Sequence, residues 1–264
     1  MIQTLKNSQG LPQMMKSSEP KILDFLTNEG ITLTGTASAG HLPSVPEDFS
    51  PQSILKGAQS VICYGVPIPK GIVHADKNAL VLYWRYCNMT YRFLDIISDK
   101  LCVFLEEEGH LSTPVYGCYP WKMRNREFWG TLPLVYWAEQ AGLGTLTRSG
   151  LLGNPVYGTR MLFGGVITTM RLEPSEKFDE ELCPPDCSEC IDLCPAHAIA
   201  KTGKVDHNSC IRHAHENPLL YRLVTDDIVK EKFSFETLVN TVGVDDHGTY
   251  ICFLCMKVCP LNKR

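Results

Sequence analysis

The longest pattern in the chain is helical. Between about residues 79 and 108, Tyr83, Cys87, Leu94, Ile97, Leu101 and Phe104 recur at intervals of three, four and seven, the spacing that lines one face of a helix. Gly109 is its stop. An aromatic-rich stripe of this kind reads first as core. A shorter helix is predicted from Ser17-Ser18-Glu19-Pro20, with Pro in the first turn, through Ile22, Leu23, Phe25 and Leu26 to Gly30. Gln52 to Gly57 predicts a further short helix. Another follows Leu132-Pro133-Leu134 through Val135, Trp137, Ala138 and Ala141, and Gly142 or Gly144 can take its left-handed cap. Branched or apolar runs at residues 31–37, 60–66 and 160–169 predict strands. Residues 40–51, with three Pro, and 145–160, with three Gly, read as loops.

Helices alternating with strands over residues 18–170 predict an α+β (α/β-like) domain with helices packed on a sheet. The polar stretch near residues 173–181 is the expected boundary, giving an N-terminal domain at 1–177 and a second domain at 178–264.

Composition changes this picture little. A chain of 264 residues can build its own core. A net charge of −4 gives no reason to expect nucleic acid or an anionic membrane as partner. No apolar run reaches the ~20 residues of a membrane span, and the first ten residues resemble no export signal. A reducing cytoplasm is the expected setting for a chain with 12 cysteines and no such signal.

The cysteines supply the chemistry. Cys187-Ser-Glu-Cys190-Ile-Asp-Leu-Cys194-Pro195 and Cys252-Phe-Leu-Cys255-Met-Lys-Val-Cys259-Pro260 share the pattern Cys-x2-Cys-x3-Cys-Pro. In the bacterial two-cluster arrangement, the Cys before Pro ligates the other cluster. Cys183 precedes the first motif by one residue more than is usual, and Cys210 is the only other Cys after residue 118. The expected assignment crosses over. Cys183, Cys187, Cys190 and Cys259 hold one [4Fe–4S] cluster; Cys194, Cys210, Cys252 and Cys255 hold the other. Paired Cys-x2-Cys also builds zinc ribbons, but these have no use for the third Cys and its Pro.

Three further stretches carry a resemblance: Ala141-Gly142-Leu143-Gly144; Asn154-Pro155-Val-Tyr-Gly158-Thr-Arg160 running on to Gly165 and Thr168; and Val205-Asp206-His-Asn-Ser-Cys210. With the double cysteine motif they resemble, in order and spacing, epoxyqueuosine reductases and reductive dehalogenases. The resemblance covers roughly residues 60–264. It implies a nitroreductase-like domain that binds base-off cobalamin, followed by a ferredoxin-like domain with two [4Fe–4S] clusters. It also implies a corrinoid held by Gly142, Leu143, Gly144, Asn154, Gly158, Arg160 and Gly165. The glycines would permit close backbone approach, and Asn154 and Arg160 would offer donors.

Two departures limit what carries over. Epoxyqueuosine reductases have an acidic proton donor three positions before the Pro that opens the Ala-Gly-Leu-Gly helix; the matching residue here is Gly130. The C-terminal helical repeats of many of those enzymes are not represented. Dehalogenases use a Tyr beside a basic residue, and Tyr119 with Lys122 or Arg124 fits those types. A nearby cation lowers a phenol's pKa. The expected function is therefore a cobalamin-dependent iron–sulfur reductase acting on a small organic substrate, supplied by a low-potential donor such as ferredoxin or flavodoxin. The alternatives are a reductive activator of a corrinoid protein and a ferredoxin-type carrier without corrinoid. His213 and His215 suggest a pair on one face of a strand, in a surface or outer-shell role.

Overall fold

The computed structural model describes residues 20–117, 121–124, 127–214 and 252–262. Its centre is a four-stranded sheet of order β1-β2-β8-β3, antiparallel at every pairing. The strands are β1 (Leu33–Ser38), β2 (Ser60–Pro67), β3 (Ser112–Val115) and β8 (Met161–Thr168). Every residue of β8 is buried, so it reads as one apolar run rather than an alternation. In β2 the period of two sorts the side chains. Ile62 and Tyr64 join the core beneath the long helix, whereas Val61 and Cys63 join a second core on the opposite face.

Helix α4 (Ala79–Glu107) covers the first face. Tyr83, Cys87, Leu94, Ile97 and Leu101 are buried, as their spacing predicts, and Leu105 joins them. Tyr64 Oη lies 2.5 Å from Ser98 Oγ and 3.2 Å from the Leu94 carbonyl, which satisfies a phenol buried between sheet and helix. Helix α1 (Pro20–Asn28) packs on α4 through Phe25 and Phe104, whose rings stack at 5.2 Å. Lys21 pairs with Glu108 at 2.7 Å and Lys100 with Glu29 at 2.8 Å. The short α2 (Pro51–Ile54) is capped by Ser50 Oγ, which accepts from Ser53 N, and α3 (Lys70–Val73) leads into α4. Helix α5 (Leu134–Gln140) covers the opposite face with Trp137 and Ala138 buried.

Three elements go beyond the sequence reading. Strand β3 contains Pro114; Pro lowers strand propensity but is tolerated at a sheet edge, which is where β3 lies. The aromatic-basic stretch forms a hairpin of β4 (Trp121–Arg124) and β5 (Glu127–Gly130). The Gly-punctuated loop contains a small hairpin of β6 (Thr145–Leu146) and β7 (Leu152–Gly153).

The stretch read as a polar boundary is tied to the sheet. Ser175 N donates to the Thr36 carbonyl at 2.8 Å, and Ser175 Oγ accepts from Thr36 N at 2.9 Å. Beyond it come α6 (Glu189–Asp192), α7 (His207–Ala214), α8 (Leu254–Val258) and a 3-10 turn at Pro260–Asn262. Phe253 and Met256 are buried in the core beneath α4. The Phe253 ring lies 4.7 Å from that of Tyr83. The second cysteine motif is thereby packed into the core of the α+β part.

Candidate iron–sulfur site

Short turns, rather than long helices, set the cysteine positions. Cys187 N donates to the Pro184 carbonyl and Cys194 N to the Ile191 carbonyl. The latter bond closes the turn around α6, which carries Cys190. After Pro195 the chain turns through His197, which has φ 46°. Ala198 N then points back at Cys194 Sγ, 3.4 Å away. Asp206 opens α7 by accepting from Ser209 N and Ser209 Oγ, and Cys210 N donates to the Asp206 carbonyl. At the far end, Cys259 N donates to the Met256 carbonyl.

These turns bring the cysteines into two groups. Cys183, Cys187, Cys190 and Cys259 line one cavity, walled by Thr147, Arg148, Ser149 and Leu261. Burial pushes the Cys190 thiol up to about 11, and the nearby Cys183, Cys187 and Cys259 add to the shift. In the other group, burial raises Cys210 to about 11, helped by Cys252 and Cys194. Burial also raises Cys255 to about 12, helped by Cys210 and Cys252. The metal-free Cys190, Cys210 and Cys255 thiols are therefore protonated at neutral pH, and ligation must release those protons. Among the described residues, no three His, Cys, Asp or Glu side chains converge as they would around one metal ion.

The structure adds Arg148, which the sequence reading passed over. Its guanidinium donates to the carbonyls of Pro185 and Cys187, fixing the loop that carries Cys187. Arg148 lies in the Gly-punctuated loop some 40 residues before the cysteines, so spacing alone gave no signal for it.

The residues expected to hold a corrinoid do come together, but around the chain itself. Gly142 has φ 75°, and a Cβ there would lie 2.2 Å from the Glu176 carbonyl oxygen. A Cβ on Gly144 would meet the Gly153 carbonyl oxygen at 1.9 Å. Gly158 has φ 61°, and its Cβ would meet Asn262 Oδ1 at 2.1 Å; at Gly165 the neighbour is the Leu134 side chain, at 2.8 Å. Asn154 is buried, donating to the Leu143 carbonyl and accepting from Val156 N and Tyr157 N. Leu143 is fully buried. Arg160 donates to the Ile68 carbonyl, and its buried Nε has no hydrogen-bond partner among the described residues. The close approach that these glycines allow is thus that of the 173–177 strap, the β7 turn, the C-terminal turn and α5. On the side that a Cβ would occupy, these positions are closed by protein.

Tyr119 lies outside the described residues, as do Cys118 and His215. Lys122 sits in β4 opposite Trp129. His213 is in the last turn of α7 and exposed. The expected strand face for His213 and His215 is therefore corrected, because the backbone up to residue 214 is helical. Cys63, Cys87 and Cys102 are buried, as expected of small apolar side chains.

Residues 183–262 match the family of 4Fe-4S double cluster binding domains. The chain carries a two-cluster iron–sulfur module. The epoxyqueuosine reductase of Synechococcus sp. (strain CC9605) is 35% identical over 224 residues, covering 84% of this chain and 61% of the relative. That of Listeria monocytogenes is 27% identical over 225 residues, covering 84% and 53%. The chain thus spans roughly half to three fifths of the length of these relatives. The structure of epoxyqueuosine reductase from Streptococcus thermophilus superposes with a TM-score of 0.63 at 19% identity, covering 93% of this chain and 66% of that one. A catabolic reductive dehalogenase in complex with 3-bromo-4-hydroxybenzoic acid gives 0.58 at 15%, covering 92% and 31%. The resemblance read from the motifs therefore holds in sequence and in fold. Other structures with this fold are described as an epoxyqueuosine reductase with a tRNA-Tyr stem loop and as a dehalogenase with B12-dependent chemistry.

Proposed function

We propose that this chain is an iron–sulfur oxidoreductase whose eight cysteines hold two [4Fe–4S] clusters in the crossed arrangement. Cys183, Cys187, Cys190 and Cys259 form one set, and Cys194, Cys210, Cys252 and Cys255 the other. The observation that carries this is the single cavity lined by three cysteines of the first motif and the last cysteine of the second. When bound, the clusters supply one-electron transfer. The protein's own part is to place and shield the thiolates. Arg148 pins the Cys187 loop. The Ala198 N–H points at the Cys194 sulfur and helps to hold it in place. Phe253 and Met256 keep water from the side facing α4. A low-potential donor such as ferredoxin or flavodoxin would supply the electrons.

The finer reading is that the N-terminal part (1–177) binds a corrinoid that reduces a small organic substrate, with the ferredoxin-like part at 178–264. It is supported by the likeness to dehalogenases. The Cβ side of the glycine positions faces protein, so any corrinoid contact there would be made by the backbone. Tyr119 with Lys122 is the proposed source of the proton. A modified tRNA is the second substrate class, supported by the tRNA-bound relative and set against the −4 charge, which had predicted no nucleic acid.

The test is anaerobic reconstitution with iron and sulfide, followed by titration with cob(II)alamin under EPR. About eight irons per chain are expected, as two cubes require. Few irons with bound zinc would sink the cluster assignment. A base-off cobalt signal that needs the protein supports the corrinoid reading; an unchanged base-on signal leaves an electron carrier. Gly130→Asp separates the two substrate classes. A Cβ at Gly130 would come no closer than 3.4 Å, to the Leu132 carbonyl oxygen, so the acid can be accommodated. Gain of epoxyqueuosine reduction in this variant favours the tRNA class.

A further inference from the structure

One buried amide clasps the turn that carries Cys259. Asn262, in the 3-10 turn after Cys259, and Thr159, just before β8, are each 1% exposed. Asn262 Oδ1 accepts from Thr159 N at 2.9 Å. Its Nδ2 donates to Thr159 Oγ1 at 2.9 Å and to the Met256 carbonyl at 2.6 Å. Asn262 N donates to the Cys259 carbonyl at 3.0 Å. Gly158 makes room for the clasp: a Cβ there would meet Asn262 Oδ1 at 2.1 Å and the Leu261 carbonyl oxygen at 2.7 Å. Two segments 103 residues apart in the chain are thereby locked side by side.

The polarity of these bonds is forced. A backbone N–H can only donate, so Thr159 N fixes which end of the Asn262 amide is the oxygen. The amide nitrogen then faces Thr159 Oγ1 and must donate to it. A hydroxyl has one proton to give. Because the Thr159 oxygen already receives from Asn262, that proton is left for another acceptor. The Cys259 sulfur is that acceptor. Burial raises the Cys259 thiol; hydrogen bonds from the Leu261 N–H and the Thr159 hydroxyl oppose the rise, and Cys183 and Cys187 add to it. The amide polarises the hydroxyl that it holds, which strengthens the bond passed on to sulfur. The counterpart Cys194, which ends the first motif, is met by the Ala198 N–H.

We propose that Thr159, oriented by Asn262, is a positioning residue that donates its hydroxyl proton to the Cys259 sulfur and so raises the reduction potential of the cavity cluster alone. This rests on the crossed cluster assignment proposed above. Reduction adds negative charge to a cluster and its sulfur ligands, and a donor aimed at such a sulfur favours the reduced state. The donor comes from the α+β part and the ligand from the second cysteine motif. The potential of the cavity cluster is therefore set partly by how firmly the C-terminal turn is clasped to the segment before β8.

The test is a potentiometric titration of the reconstituted full chain followed by EPR, with the signal lost in Cys259→Ser marking the cavity cluster. Thr159→Val removes the hydroxyl and keeps the shape of the side chain. It should retain about eight irons per chain. At a fixed potential, the ratio of reduced to oxidised cavity cluster should fall roughly three- to tenfold, as loss of one hydrogen bond predicts, while the buried cluster titrates as in the parent. Thr159→Ala, smaller and also without the hydroxyl, should give the same downward shift. Thr159→Ser keeps the donor and should titrate like the parent, which a purely steric role for Thr159 would not allow. A parent chain that binds few irons overturns the cluster reading and this proposal with it. Eight irons with the crossed pattern of loss, but a cavity potential unmoved in Thr159→Val and Thr159→Ala, overturns this proposal and leaves the cluster reading standing. An equal shift of both clusters, or a shift in Thr159→Ser as large as in Thr159→Val, also overturns it, because packing rather than the hydroxyl would then set the potential.

Discussion

The two cysteine groups are built from the same motif but sit in different surroundings. The first borders a cavity walled by Thr147, Arg148 and Ser149, and its carbonyls are engaged by a guanidinium. The second lies beside the core of α4: Phe253 packs on Tyr83, and the Tyr83 phenol is held well above its ordinary value by burial, then by Cys87 and Tyr91, with a smaller contribution from Cys255. Polar surroundings and nearby cations stabilise the more negative, reduced state of a cluster, whereas burial disfavours added charge. The first site is therefore expected to have the higher potential of the two.

The largest effect comes from separating the groups. Cys259→Ser removes a ligand from the cavity group alone, although Cys259 lies in the second motif. Iron should fall from about eight to about four per chain, and the remaining EPR signal should be that of the buried site. Cys194→Ser should leave the complementary signal. If each substitution instead removed the cluster of its own motif, the crossed assignment would be wrong.

Next comes Gly144→Ala. A Cβ there would lie 1.9 Å from the Gly153 carbonyl oxygen, at a φ of 153°, so backbone must move. A loss of more than about 3 kcal/mol is expected on chemical denaturation, at the severe end for a single substitution. Were the glycine instead there to admit a ligand, the variant would keep its stability and lose only ligand binding.

These two cases show what was legible in the sequence. The two cysteine groups are read by spacing along a short stretch, because the turns that bring the thiols together are local; the crossed assignment proposed for them rests on Pro195 and Pro260. The buried face of α4 is legible for the same reason: Tyr83, Cys87 and Leu94 declare it through periodicity. Glycine motifs carry only the information that something approaches the backbone. Gly142, Gly144 and Gly158 signalled close approach correctly, but the approaching groups come from residues 176, 153 and 262, and no local pattern names them. Strand β3 was hidden because Pro114 lowers strand propensity regardless of whether a neighbour waits at the sheet edge. Arg148 was hidden because its partners are carbonyls nearly 40 residues away.

A smaller effect is expected from Arg148→Met, which keeps the stem but removes the donors to Pro185 and Cys187. Those carbonyls can partly turn to water, so roughly 1–2 kcal/mol of stability should be lost. The informative readout is the potential. Loss of the cation should lower that of the cavity cluster and leave the buried one unmoved, narrowing the gap between them. An equal shift at both would mean that Arg148 acts on the whole fold.

The smallest effect lies within the α+β part and concerns pH. Burial pushes the Cys102 thiol from an ordinary 9.0 up to about 12, with Asp99 and Glu106 adding to the shift. The folded chain thus holds this proton more tightly than the unfolded chain. Its contribution to stability is whole below pH 9 and is lost progressively as the pH rises from 9 to 12. Denaturation midpoints across that window should fall less steeply in Cys102→Ala than in the parent. Cluster ligation should be compared over the same range, because the cavity and buried cysteines respond in the opposite sense. Their ligation releases protons, so higher pH favours it. A chain whose thermal stability falls above pH 9 while its clusters are held more firmly would separate the two regions by their protons alone; parallel loss of both would mean that cluster retention follows the stability of the sheet and α4 core.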